Sequence, residues 1–146
     1  MRFRVLNLLV LFGLVSVLST GFANEKVFGD YSIHYSAFKS DFLSAPMARA
    51  YNITRSKNRA VLNVTVTHKG KDGLPHPVEA NVEGRAFNVY QQAKPIQFRE
   101  VKDEGSVYYI AEFPVANEEI VNFEISVSKD GKAIGKVSFQ QQFFLK

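Results

Sequence analysis

The sequence predicts an all-β protein, an antiparallel two-sheet, immunoglobulin-like sandwich of about seven strands with one short helix between the first two strands. Three observations predict it. Apolar and polar residues alternate with a period of two in several segments, turn residues separate those segments, and one short stretch instead carries helix signals. No repeat or linker-like stretch follows residue 23, so residues 24–146 are expected to form a single immunoglobulin-like β-sandwich domain.

The first strand is predicted over residues 27–38, where Tyr31, Ile33 and Tyr35 share one face. A helix follows over residues 44–51, because Ser44 is a good N-cap, Pro46 suits a first turn and alanines continue the stretch. Residues 60–67 alternate again and are rich in β-branched side chains, which favours a second strand.

Glycine and proline at residues 69–77 predict a loop, and strands are expected on both sides of a bulge at Gly84. Four more strands are predicted over residues 96–102, 106–115, 120–129 and 133–145. The Asp130-Gly131 dipeptide between the last two is the strongest hairpin signal in the chain.

The amino terminus resembles a signal peptide over residues 1–23. Arg2 and Arg4 precede an apolar run at residues 5–18, and small residues lead to a cleavage site after Ala23. The alternative is an uncleaved anchor, for which the apolar stretch 5–22 reaches only the lower limit of a membrane span. We expect cleavage and release into the periplasm, so the mature protein is not expected to be an integral membrane protein.

Charge and cysteine content exclude several classes of protein. The formal charge of +4 from 18 basic and 14 acidic residues falls to +2 once Arg2 and Arg4 are removed, which gives little support to nucleic-acid binding. The absence of cysteine excludes disulfide scaffolds, thiolate zinc sites, iron–sulfur clusters, thiol nucleophiles and Cys-anchored lipoproteins.

Five stretches carry a resemblance to a known family, and the third of them is the most specific part. They are residues 140–144 (QQQFF), 108–113 (YYIAEF), 55–60 (RSKNRA), 97–100 (QFRE) and 29–35 (GDYSIHY). Together they resemble the domain-of-unknown-function family numbered 4426, small exported proteins of Gram-negative bacteria. The resemblance spans the mature chain and implies a periplasmic β-sandwich. It implies no activity, because the family has no established catalytic or binding residues.

The residues predict neither a metal site nor a cofactor. His34, His68 and His76 are the only imidazoles, and no two of them have the spacing of ligands on one element. We therefore expect solvated or edge histidines.

No nucleophile elbow occurs, so an enzyme is not expected. Glu100 and Glu112 share strand parity with apolar neighbours, although Arg85 and Arg99 are available to pair with them across strands. The alternative is a small periplasmic hydrolase using carboxylate and histidine chemistry, which would need His34, Glu100 or Glu112 gathered in one cleft.

The candidate binding residues are basic. If residues 55–59 are extended, then Arg55, Lys57 and Arg59 lie on one face about 6–7 Å apart, with Arg49 contributed by the preceding helix. Such a strip could bind a carboxylate or phosphate of an anionic envelope component, or a protein partner. The alternative is that these charges only blunt an exposed strand edge.

Two adjacent aromatic pairs bear on burial. Tyr108-Tyr109 and Phe143-Phe144 must point to opposite faces of a sheet, so one member of each lies outside the sandwich unless the helix or a loop covers it. We expect, overall, a non-catalytic binding or accessory module for an envelope component.

Overall fold

The alternating segments form two antiparallel sheets that pack face to face. The computed structural model describes residues 24–145, so the expected signal peptide lies outside the described residues. Within them the strands are β1 (Asn24–Phe28), β2 (Tyr31–Lys39), β3 (Arg59–Lys69), β4 (Pro75–Pro77), β5 (Asn81–Asn88), β6 (Ala93–Lys94), β7 (Arg99–Asp103), β8 (Ser106–Pro114), β9 (Glu119–Lys129) and β10 (Lys132–Phe143).

Sheet A has the strand order β1-β2-β3-β8-β7, with the short β4 also paired to β3, and sheet B has the order β10-β9-β5-β6. Every pairing is antiparallel. The prediction of an all-β, two-sheet antiparallel sandwich is therefore confirmed.

The main core lies between the two sheets. Phe113 from sheet A meets Phe123 and Phe143 from sheet B at ring-centroid distances of 5.5 and 5.9 Å, edge to face. Aliphatic side chains of alternate residues fill the rest, among them Ile33, Leu62, Val64, Val66, Val121, Ile125, Val127 and Val137. Of these, Leu62, Val64 and Val66 are the apolar side chains that alternation in residues 60–67 predicted to share one strand face.

The first predicted strand is two strands. Gly29 has a φ of +61°, which glycine adopts without steric cost, so the chain turns back after Phe28 and β1 pairs with β2. The described part of the chain therefore has ten strands rather than about seven. The three additional strands, β1, β4 and β6, are short and have two to five residues each. For the same reason the helix lies between the second and third strands rather than the first and second.

The predicted bulge at Gly84 is wrong. β5 keeps a continuous register with β9, and the register shift lies instead between Ala133 and Gly135 in β10. Gly84 is required by close packing, because a Cβ there would sit 3.0 Å from the Phe98 ring and 3.2 Å from the carbonyl oxygen of Glu124. The Asp130-Gly131 hairpin is confirmed, with both residues at positive φ.

The helical part of the described chain is small. A three-residue 3-10 turn, η1 (Ser40–Phe42), which the sequence did not predict, precedes α1 (Ala45–Ala50). The predicted cap is confirmed, since the Ser44 side chain accepts a hydrogen bond from the Met47 amide at 3.3 Å. Neither helix is long enough to cross a membrane.

Candidate ligand pocket

The outer face of sheet A, which points away from the main core, is apolar where β3 and β8 adjoin. Val61 and Ile110 lie on this face, yet they are only 1% and 4% exposed. An uncovered sheet face would leave such side chains in water. Their burial shows that another part of the chain covers them and forms a second, smaller core, with Leu43, Ala48 and Ile53.

The cover is the segment 40–58, which contains η1 and α1 and which we call the flap. Its helix ends because Asn52 takes a positive φ of 55°, which allows the Ile53 amide to donate back to the Ala48 carbonyl at 2.7 Å. This turn drives Ile53 into the second core beside Ala48. The flap is thus folded on itself before it contacts the sheet.

A buried clasp joins the two ends of the flap. The Ser40 hydroxyl, which is fully buried, donates to the Ser56 carbonyl at 3.0 Å and accepts from the Ser56 amide at 2.8 Å. The Arg55 guanidinium donates to the carbonyls of Leu43 at 2.7 Å and Asp41 at 3.3 Å. The Ser40 and Arg55 side chains thus satisfy backbone groups of the flap that are not paired in a β-ladder.

Polar contacts also fix the flap to sheet A. The Thr54 amide donates to the Glu112 carboxylate at 3.3 Å, and Arg99 donates to the Asn52 carbonyl at 3.0 Å. Arg99 and Glu112 are themselves paired at 3.4 Å, so the two side chains hold adjacent points of the flap together. This confirms that Arg99 is a cross-strand partner of Glu112.

Tyr51, at the end of α1, connects the flap to β7 and β8. Its hydroxyl donates to Asp103 at 3.2 Å and its ring lies 5.5 Å from that of Tyr108. Burial raises the pKa of Tyr51 above its ordinary value, and the neighbouring Tyr108 and the bond to Asp103 act in the same direction. The neutral phenol is therefore the form that the flap holds.

Between the flap and the sheet lies a cavity of about 260 Å³, which we call the flap pocket. The sheet supplies the floor through Phe38, Val61, Asn63, Tyr108 and Ile110. The flap supplies the other wall through Phe42, Leu43, Met47, Tyr51 and Ile53. Phe42 and Met47 stand at the rim and are 67% and 48% exposed. The pocket is therefore apolar, concave and open to solvent at one side.

Asn63 is the one amide in this lining, and its Oδ1 is buried without a hydrogen-bond partner among residues 24–145. A buried acceptor without a donor costs roughly 1–3 kcal/mol. The pocket thus combines apolar walls with one polar group whose bonding is incomplete, which is the usual composition of a small-molecule site.

Two other cavities lack that combination. A groove of about 190 Å³ lies at the sandwich edge between the ends of β2 and β10 and shares Phe38 and Phe42 with the flap pocket. A wide depression of about 710 Å³ lies between the β1–β2 and β9–β10 turns and carries Lys129, Asp130 and Lys132. Neither has a buried polar group without a partner.

The basic residues do not form the expected strip. Lys57 and Asn58 form a turn and β3 begins only at Arg59, so the stretch is not one extended strand and the condition for Arg55, Lys57 and Arg59 to share one strand face is not met. Arg55 is committed to the clasp. Within residues 24–145 the side chains of Arg49, Lys57 and Arg59 have neither an ion pair nor a hydrogen bond, and Arg49 lies on the solvent side of α1.

His68 and His76 are register partners across β3 and β4, but the three imidazoles have different side-chain partners. His34 lies 3.7 Å from Glu25 and 3.4 Å from the Thr67 hydroxyl, His76 lies 2.9 Å from Asp72, and the His68 ring packs on Tyr31. Within the described part of the chain, no group of three potential ligands could hold a metal ion.

The residues proposed for a hydrolase do not share a cleft either. Glu100 is exposed at the edge strand β7, 3.5 Å from Lys102, whereas Glu112 is bound to the flap. His34 lines a separate surface depression with Glu25 and Thr67. In residues 24–145 these three side chains line no common pocket.

The aromatic pairs behave as predicted. Tyr109 is in the main core, where its hydroxyl accepts from the Ala80 amide at 2.8 Å and burial raises its pKa, whereas Tyr108 lies beneath the flap. Phe143 is 3% exposed and Phe144 is 52% exposed at the edge groove. The flap is thus the helical cover that the first pair requires.

Comparison with known proteins places this architecture. A family model described as a domain of unknown function, DUF4426, matches residues 25–146. The chain belongs to the DUF4426 family. The crystal structure of a DUF4426 family protein from Pseudomonas aeruginosa PAO1 is 36% identical, covers 84% of this chain and 95% of its own, and superposes with a TM-score of 0.71. No protein of curated function matches the chain. The DUF4426 family description carries no activity, so function has to be argued from the site itself.

Proposed function

We propose that the protein is a non-catalytic binding module of the bacterial envelope, and that the flap pocket is its binding site. The observation that supports this is the apolar cavity of about 260 Å³ between the flap and sheet A. Cavities of this kind, with a few polar groups in apolar walls, are the usual sites of small ligands. The proposed location, the periplasm, follows from the signal-peptide pattern in residues 1–23.

The same geometry gives no support to the hydrolase alternative. A hydrolytic site needs a nucleophile or an activated water within reach of an acid or base. The flap pocket contains two phenols and one amide but neither a carboxylate nor an imidazole. Binding without chemistry is the function that this lining supports.

Binding can be tested with toluene as an apolar probe and two matched variants. Met47 and Val89 are similarly exposed, at 48% and 52%, but only Met47 lies at the rim of the flap pocket. We expect Met47→Lys to weaken toluene binding by about tenfold, because it places a charge at an apolar mouth. Isothermal titration of the domain comprising residues 24–146 measures this.

The control is Val89→Lys, which should leave toluene affinity unchanged. Both variants should keep thermal stability within about 0.5 kcal/mol, as surface substitutions usually do. Toluene that binds Met47→Lys as tightly as it binds Val89→Lys contradicts the flap pocket as the binding site.

The unpartnered cations favour a second proposal, that the flap also contacts an anionic envelope component. Arg49, Lys57 and Arg59 all belong to the flap or the first residue after it, and a local group of cations attracts anions even when the net charge is small. Replacing all three with glutamine should abolish low-salt sedimentation with phosphatidylglycerol vesicles. Equal sedimentation of both proteins would exclude this contact.

Export has its own test. N-terminal sequencing of the protein from a periplasmic extract should read Asn24 as the first residue. An intact Met1 recovered from membranes would replace the periplasmic module with an anchored one.

A further inference from the structure

We infer that the flap pocket binds a small hydroxylated apolar molecule whose hydroxyl group completes the hydrogen bonding of Asn63. This inference rests on the proposed function, because it assumes that the pocket is a ligand site. It adds the chemical class of the ligand, which the apolar walls alone do not define.

Two asparagines on the outer faces of the sheets differ in their hydrogen bonding. Asn122, on sheet B, accepts a hydrogen bond at Oδ1 from Gln140 at 3.0 Å. Asn63, on sheet A, has a buried Oδ1 to which no described group donates. A buried polar group without a partner is rare in native proteins and calls for a bound partner or a functional role. A ligand in the cavity that Asn63 lines would supply that partner once the amide turns its shielded Oδ1 toward the cavity.

The amide of Asn63 determines which polar group the ligand should carry. An amide offers both an acceptor and a donor, and rotation about its last torsion exchanges the two. A hydroxyl both donates and accepts, so it can pair with either end of the amide. A charged group fits poorly, because the lining contains neither a basic nor an acidic side chain to neutralise it.

The volume of the flap pocket limits the size of the ligand. An apolar cavity of about 150 Å³ is sufficient for benzene. The flap pocket, at about 260 Å³, therefore accommodates one ring with a few substituents, or a compact chain of similar volume. The aromatic rings of Phe38, Tyr51 and Tyr108 offer edge and face contacts to such a ring.

The experiment compares phenol with toluene, which have similar shapes and differ in the hydroxyl. Affinities are measured by titration of the domain comprising residues 24–146 and of the variants Asn63→Leu and Asn122→Leu. Because toluene is the more hydrophobic, the quantity compared is the ratio of the two dissociation constants in each protein rather than either constant alone. We expect the dissociation constant of toluene divided by that of phenol to fall by about tenfold in Asn63→Leu and to stay unchanged in Asn122→Leu.

Each outcome has a distinct meaning. If both probes bind but the ratio is the same in Asn63→Leu and the unmodified domain, the hydroxyl inference is overturned while the binding function survives. If neither probe binds the unmodified domain, the proposed function itself fails. Should Asn63→Leu not fold, Asn63→Val removes the same amide with a residue that strands favour, and the same ratio decides.

Discussion

The outer faces of the two sheets differ in what they expose. On sheet B the central strand β9 presents residues such as Asn122, Glu124 and Ser126 to solvent, and neither helix of residues 24–145 covers them. On sheet A the central strand β3 presents Val61 and Asn63 on the corresponding face, and the flap lies over them. The outer face of sheet B is polar and contacts solvent. The outer face of sheet A is apolar and is covered by the flap, with a cavity beneath it.

This difference is visible in the pattern of each strand. β9 alternates cleanly, which indicates a strand with one buried face. In β3 and β8 apolar residues are consecutive, at 60–62 and 108–111, which indicates strands buried on both faces. Breaks in alternation thus mark the position of the flap as clearly as the helix signals do.

The largest expected effect is on the free energy of unfolding when a charge is placed on each outer face. Val61→Asp buries an unpaired carboxylate beneath the flap and should cost several kcal/mol. Ser126→Asp, at an exposed position between Glu83 and Lys136, should change stability by less than about 0.5 kcal/mol. Urea denaturation measures both, and equal losses would mean that the two faces are not different.

The clasp should matter next. Ser40→Ala removes the only side chain that pairs with the Ser56 backbone among the described residues, so the half-buried Ser56 amide loses its partner and the Ser56 carbonyl keeps only the Arg59 amide at 3.5 Å. A loss of about 1–3 kcal/mol is expected. Ser138→Ala, on the exposed face of β10, is the control and should have no measurable effect. Hydrogen exchange should accelerate in the flap of Ser40→Ala, and an unchanged flap would refute the role of the clasp.

A smaller effect separates the basic residues of the flap. Arg55→Gln loses two hydrogen bonds to backbone carbonyls and should lower stability by about 1–2 kcal/mol. Lys57→Gln, two residues away in a solvated turn, should leave it unchanged. Thermal unfolding of the two variants compares them directly. A stable Arg55→Gln would return Arg55 to the group of free binding cations.

The smallest effects are those of pH, and the two faces should respond at opposite ends of the scale. In the flap that covers sheet A, the pKa of Tyr51 is raised, chiefly by burial, above an ordinary value of 10.0. The unfolded chain therefore loses this proton first as the pH rises. Stability is complete below pH 10 and falls as the pH approaches the raised pKa. Tyr51→Phe should remove this part of the alkaline loss in unfolding curves, and an unaltered alkaline profile would contradict it.

On sheet B the corresponding group is a carboxylate. The hydrogen bond from Arg85 holds the pKa of Glu124 below its ordinary value of 4.5, so its contribution is present above that pH and is lost as the pH falls further. Because both side chains are largely exposed, the loss is small. Glu124→Gln should flatten the acid limb of the stability profile without changing ligand binding to the flap pocket.

Much of the fold follows from the sequence because a period of two is a direct consequence of strand geometry. The inward position of Val64, the Asp130-Gly131 turn and the capped helix were all predictable from local rules. The split of the first strand at Gly29 was not, because alternation continues on both sides of a two-residue turn. The role of Gly84 depends on Phe98, which approaches from another part of the chain.

The site was less predictable than the fold. Arg55 carries the same charge as Lys57, and only the folded chain shows that its guanidinium is bound to two carbonyls. Asn63 gave no signal, because an asparagine in an alternating strand reads as a solvated residue. Its lack of a partner depends on the flap, whose position over β3 is set by contacts between residues distant in sequence.

The proposed function requires that the apolar outer face of sheet A is a binding pocket and not merely a second core. Amide chemical-shift mapping of the domain comprising residues 24–146 during a phenol titration tests it most directly. We expect saturable shifts confined to the flap and to the residues of β3 and β8 beneath it, around Asn63 and Ile110. Shifts centred on the outer face of sheet B, or none in either region at millimolar phenol, would contradict it.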